Sequence, residues 1–321
     1  MRPSYFLTIV TLTVLALVSV LIGAAPFDLR DIASDPEALR LLLVSRLPRT
    51  FAALLTGAAM AVAGVIMQLL VRNRFVEPGT TGTTEAAMLG LLLVTLAAPA
   101  MPIVGKMLVA ALTALLGMGG FLVLIKRLPP EQPLLVPLVG LIYSGIIGAG
   151  TTFVAYQADL MQYLGVWMSG EFSGILAGRY ELLWLAGAMA VVAYVAADQF
   201  TIVGLGRSTS VGLGLNYGQV MALGLVTVSM VTALVVVTVG MVPFVGLVVP
   251  NIVARIMGDN LRASLPVVAG MGAGMVLASD ILGRVVRYPY EIPAGTIFGA
   301  VGAAIFLWLL LGKPANGARN A

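Results

Sequence analysis

The sequence predicts an all-α polytopic membrane protein of about ten transmembrane helices. Three observations carry this. Hydrophobic residues fill 60% of the 321 positions and charged residues only 10%. The apolar residues come in runs of roughly 20, the length that crosses the hydrocarbon core as a helix. Those runs lack the two-residue alternation of a barrel strand, and in lipid only helices and closed barrels satisfy every backbone polar group. No separate soluble domain is expected, so residues 1–321 read as one transmembrane domain.

The first span, 5–25, follows Arg2. A signal peptide cleaved after Ala24-Ala25 is the rival reading, but Tyr5–Leu21 is long for a signal core. Pro26–Arg49 is the longest polar stretch and reads as a loop. The second span, 50–71, ends at the turn Arg72–Gly79, where Glu77 offsets one arginine. Span three, 83–98, opens on Thr83 or Thr84 as helix cap. Spans four to seven follow at 104–125, 134–157, 180–198 and 219–239. Span eight, 244–257, is short and broken by Pro250, and reads as a half-span packed among others. Spans nine and ten are 265–283 and 295–312. The small-residue patterns Gly270-xxx-Gly274 and Gly295-xxx-Gly299, and the run Gly145, Gly148, Gly150, point to close helix packing more than to ligand contact.

Composition excludes several chemistries. With Cys 0 and His 0 there is no disulfide, thiolate metal site or imidazole proton carrier, and no metal site or cofactor is expected. No phosphate-binding Gly-rich loop with Lys-Ser/Thr occurs, so the chain is not itself an ATPase or another enzyme. The net charge of +4 does not indicate nucleic acid. Glu85, Asp198 and Asp280 sit near predicted span ends, which weakens the rival reading of an ion-coupled secondary transporter for a small solute. An inside N-terminus puts the pairs Arg72/Arg74 and Lys126/Arg127 in cytoplasmic turns. It leaves Arg46, Arg49, Arg284 and Arg287 as a basic rim outside.

Three sets of residues invite function. Arg46 and Arg49 stand three apart and share a helix face; snorkelling cations and a clamp for a partner's carboxylate explain them equally. Asp280 and Arg284, one turn apart, form either an ion pair within the helix or part of the same rim. The connector 201–219, with Gly206, Arg207, Gly212, Leu213 and Gly214, is longer than a link needs to be and suggests one or two short surface helices.

Taken together, these segments resemble the FecCD family over nearly the whole chain. That family comprises membrane permeases of bacterial ABC importers for ferric siderophores, haem and cobalamin. The residues that carry the resemblance are Arg46-Leu-Pro-Arg49-Thr50, Gly57–Gln68, Glu77-Pro78-Gly79, Val211–Leu215, Pro243–Asn251 and Glu291–Gly295. The sequence departs from the pattern at Asn251, where a His is common, and at Thr83-Thr84-Glu85, where small residues are usual. The resemblance implies a bacterial inner-membrane permease that imports a ferric siderophore by alternating access. It also implies a second permease subunit (the same chain or a related one), two cytoplasmic ATPase subunits and a periplasmic binding protein. Arg46, Arg49 and Arg284 are then the residues that dock the binding protein. Gly206, Arg207, Gly212, Leu213 and Gly214 belong to the coupling region that meets the ATPase. Tyr143, Ser144 and Thr151, on the fifth span, become pathway candidates.

Overall fold

The computed structural model describes residues 3–23, 35–128, 135–258 and 260–311. Arg2 and Ala24-Ala25, which entered the reading of the first span, lie outside them. The described residues are helical, with no strand among them. In order the helices are α1 (Pro3–Leu21), α2 (Pro36–Leu41), α3 (Leu47–Val71), α4 (Thr83–Ala97), α5 (Ile103–Ile125), α6 (Leu135–Gln157) and α7 (Met161–Ser169). Then come α8 (Leu182–Val195), α9 (Ala197–Gly204), α10 (Arg207–Gly212), α11 (Tyr217–Thr238), α12 (Val245–Met257), α13 (Leu261–Val285) and α14 (Ala294–Leu311).

Among the described residues, six helical stretches are long and apolar enough to cross a membrane alone. The pair α8 and α9, bent by 67°, makes a seventh, and α1, α4 and α12 are shorter apolar helices. These account for the ten expected spans, with α12 as the short one and Pro250 inside it.

The second span starts earlier than its polar flank suggested. From Pro36 the chain is continuously helical, through one π-helical turn at Leu42–Arg46, into α3. Pro48 has no N–H for the carbonyl of Val44, four residues back. The wider π turn relieves the clash, and the N–H of Ala177 donates to Val44 at 2.9 Å instead.

Helix α3 is the axis of the fold. Seventeen of its 25 residues are buried, and α1, α8, α9, α11, α12 and α13 all pack around it. Two backbone contacts make this possible. A Cβ at Gly57 would lie 2.2 Å from the carbonyl oxygen of Gly272 on α13, and one at Gly64 would lie 2.1 Å from that of Gly246 on α12. Without hydrophobic drive between helices in lipid, such close approach is what van der Waals packing needs. Gly270 and Gly274 likewise face Thr8 and Leu12 of α1. Gly145 and Gly150 do not follow suit: they are exposed, with open space around them, so any helix they pack against is outside this chain.

Candidate functional site

At one end of α3 a buried ion network joins four elements. Asp280, 2% exposed, accepts from Arg49 at 2.7 Å and from Arg284, one turn along α13, at 2.8 Å. Arg49 also meets Glu291, just before α14, at 2.8 Å. Arg284 further donates to the carbonyls of Ser19 (2.8 Å) and Ile22 (2.6 Å) and to the Ser19 hydroxyl (2.8 Å). Those carbonyls belong to the end of α1, where helical acceptors are left over and positive charge is favoured. The Arg46 guanidinium is buried beside Gly23, and its carbonyl accepts from Thr50 at 2.9 Å. Two guanidinium groups thus share two carboxylates with Arg46 close by, a net charge of +1 over these five groups.

The three arginines singled out from sequence are therefore brought together, but turned inward rather than standing as an exposed rim. The pairing of Asp280 with Arg284 within α13 holds, and Arg49 adds to it from α3. Glu291 and Ser19 escaped sequence reasoning as members of the network. The scarcity of acids (14 in 321 residues) was the available signal for Glu291. Exposed cations at this end include Arg40 on α2, Arg287, over the Tyr290 ring at 5.8 Å, and Arg179. Arg179 edges a cavity of about 730 Å³ among α7, α8 and α11, together with Glu171 and Glu181.

At the other end of α3, Arg72 caps the helix in the left-handed conformation (φ 57°) and reaches the connector region. A Cβ on Gly206 would sit 3.3 Å from its guanidinium, and Gly206 has φ +105°, which a side chain resists. Of the one or two short helices foreseen, the connector holds α10 and the last turn of α9, the bent end of the preceding span. The Ser210 hydroxyl knits them together, within bond distance of the carbonyls of Gly206 (2.7 Å) and Ile202 (3.0 Å). The far side is open. Leu205, Val211 and Leu213 are 59%, 57% and 63% exposed, Arg207 is exposed, and nothing lies within 4 Å of a Cβ at Gly212 or Gly214. From Arg49 to Arg72 the rise is about 35 Å of one unbroken helix, the thickness of a bilayer core and a little more. The arginine network and the α9–α10 surface are thus at opposite ends of one rod.

Tyr143, Ser144 and Thr151 are turned into the chain. The Tyr143 hydroxyl donates to Gly117 of α5 at 2.9 Å, Ser144 is buried and reaches towards Gly79, and Thr151 is 1% exposed. The outward face of α6 carries Leu141, Ile142, Gly145, Ile146 and Phe153. Two further placements differ from expectation. Gly82, left-handed at φ 75°, caps α4, and Thr83 and Thr84 lie inside its first turn. Glu77 does not lie in a solvated turn: residues 72–82 fold back along α3, and Glu77 is 3% exposed, accepting the N–H of Phe244 at 2.9 Å. It sits near Met60, well inside the helix end, because the N-terminus of the half-span α12 supplies donors for a carboxylate there. The expectation that no acidic group lies deep in the bundle is corrected by this residue.

Comparison with known proteins agrees with this architecture. Residues 11–312 match the FecCD transport family. The petrobactin import system permease protein YclN of Bacillus subtilis is 44% identical over 310 residues, covering 95% of this chain and 97% of that protein. The ferric-anguibactin transport system permease protein FatD of Vibrio anguillarum is 40% identical, covering 84% of this chain and 86% of its own. A solved inward-facing structure of a metal-chelate type ABC transporter superposes with a TM-score of 0.81 at 23% identity, over 96% of this chain and 99% of that one, which establishes the shared fold. A polytopic helical chain with this span order and this full-length likeness belongs to the FecCD transport family.

Proposed function

We propose that the chain is a permease subunit of an ATP-driven importer that moves a ferric siderophore across the bacterial inner membrane. Its relatives named for petrobactin and ferric-anguibactin, matched over most of their length, support that substrate class. The single observation that carries the mechanism is α3: one buried helix about 35 Å long, with an ion network at one end and an exposed apolar elbow at the other.

The network end faces the periplasm and the α9–α10 end the cytoplasm, with the N-terminus inside. The arginine pair Arg72/Arg74 on the cytoplasmic side favours this orientation. Leu205, Val211 and Leu213, around Gly206, Arg207, Gly212 and Gly214, present an apolar knob for a cleft in the ATPase subunit. The periplasmic binding protein docks over Arg46, Arg49 and Arg284. The surplus charge of that cluster attracts acidic residues, and the exposed Arg287 and Arg179 meet them first. The siderophore passes between this subunit and a second permease, the same chain or a related one. The exposed face of α6 lines that route, and Tyr143, Ser144 and Thr151 brace it from behind.

Reconstitution tests this. The chain, with its second permease, two ATPase subunits and binding protein in liposomes, should import a ferric siderophore only when ATP is present on the ATPase side. Uptake by the chain alone under an ion gradient would overturn the proposal.

A further inference from the structure

The short helix α12 runs from Val245 to Met257 with Pro250 inside it, and Pro250 has no N–H to give to the carbonyl of Gly246, four residues back. A carbonyl left without a donor inside a membrane bundle is costly, because no water reaches it there. That carbonyl has a donor from another helix. The side-chain amide of Gln68 on α3 reaches it at 3.2 Å. Gly64, one turn earlier on α3, lies directly against Gly246 and leaves the room that brings the two backbones together. The same solution appears at Pro48, where Ala177 serves the stranded carbonyl of Val44.

Two more bonds tie the segment after α3 to α12. Glu77 accepts the N–H of Phe244, a bulky residue held left-handed (φ 64°) at the start of the helix. The Asn251 amide donates to Arg74 at 2.9 Å and to Leu247 at 2.7 Å. Helix α12 is therefore gripped at its start by Glu77, at the carbonyl that Pro250 leaves without a helical donor by Gln68, and just past Pro250 by Asn251. All three links run to α3 or to residues 72–82, whose first member, Arg72, abuts Gly206 beside α10.

We infer that α3, residues 72–82 and α12 move as one block, and that Gln68 is the positioning residue that holds it together by supplying the hydrogen-bond donor Pro250 lacks. Resting on the importer reading, this block carries displacement of the α9–α10 elbow into the bundle.

The test is a double-mutant cycle in the full chain. Gln68→Met keeps length and bulk and removes the donor. Pro250→Ala restores a backbone N–H to the Gly246 carbonyl and makes Gln68 redundant. Purified chain in detergent should show a lower unfolding midpoint for Gln68→Met and recovery of at least half the loss in Gln68→Met/Pro250→Ala. In the reconstituted importer, ATP hydrolysed per siderophore imported should rise at least threefold in Gln68→Met and return within about twofold of wild type in the double variant. Additive or greater loss in the double variant would overturn the bond's role, and a recovered midpoint without recovered coupling would overturn the block as transmission. The midpoint cycle needs no transport, so failure of the importer reading would show separately, as absence of ATP-dependent uptake by the wild type.

Discussion

Asp280 is the residue on which the arginine network turns, and Asp280→Asn is its sharpest perturbation. The substitution keeps shape and removes one negative charge from a side chain 2% exposed that touches two guanidinium groups, one of them 3% exposed. The five-group cluster goes from +1 to +2. Removing one partner of a buried ion pair costs about 3–5 kcal/mol, because the remaining charge stays buried without its counterion. Here two cations lose theirs, although Arg49 retains Glu291 and Arg284 retains the α1 carbonyls. A loss of about 3 kcal/mol is the reasoned value, a fall of roughly 100-fold in the folding equilibrium. Glu291→Gln is the control. Glu291 is 24% exposed and touches one arginine, so about 1 kcal/mol or less is expected. Equilibrium unfolding of both variants in mixed micelles measures the difference. If Asp280→Asn is no more destabilising than Glu291→Gln, the network does not organise this end of the fold.

Three other outcomes follow from the same geometry. Gly64→Val drives a side chain into the Gly246 backbone at 2.1 Å, where no flexible side chain is available to move, so folded protein recovered from membranes should drop several-fold; yield equal to wild type contradicts the close approach. Gly212→Trp enters open space and should leave the unfolding midpoint within about 0.5 kcal/mol of wild type while uncoupling ATP hydrolysis from uptake; normal coupling removes the elbow's assignment. Arg46→Glu with Arg49→Glu shifts the cluster from +1 to −3 and should abolish uptake through lost binding-protein affinity, with ATPase association kept. Because that variant also stresses the network, Arg287→Glu, on an exposed site, should weaken docking at unchanged stability, and binding-protein affinity unaffected by both variants rejects the docking surface.

The span count, the short eighth span and the short helix within 201–219 were legible because each leaves a local trace: an apolar run, an interrupting proline, a connector too long and too polar. The ion network was half legible. Arg46, Arg49 and Arg284 announce themselves as charges at span ends, but their inward direction depends on Asp280, Glu291 and the end of α1, which converge from positions more than 200 residues apart. Glu77 misled for a related reason. In sequence it stands beside Arg72 and Arg74 after a span, as a solvated turn would. Only the N-terminus of α12, 167 residues on, supplies the donors that draw it into the bundle. Tyr143, Ser144 and Thr151 fall on α6, the helix expected from the fifth apolar run, but the direction they face is set by Gly117, Gly79 and their neighbours, which no pattern within α6 encodes.

On the proposed importer reading, partners act at both ends of α3, and the body between them must not bend. Helix α3 meets that need by an unusual route: its middle is kept rigid by glycines, because Gly57 and Gly64 let α13 and α12 approach until backbones touch. Elsewhere glycine loosens a helix by roughly 1 kcal/mol relative to alanine. Here the same missing Cβ converts a flexible point into a backbone contact with another helix, and polar links then lock each contact: Gln68 to Gly246 beside Gly64, and Arg49 to Asp280 two turns from Gly57. Stiffness in this fold is a property of α3 with α12 and α13 together, so a change at any of the three should be felt at both ends of the rod.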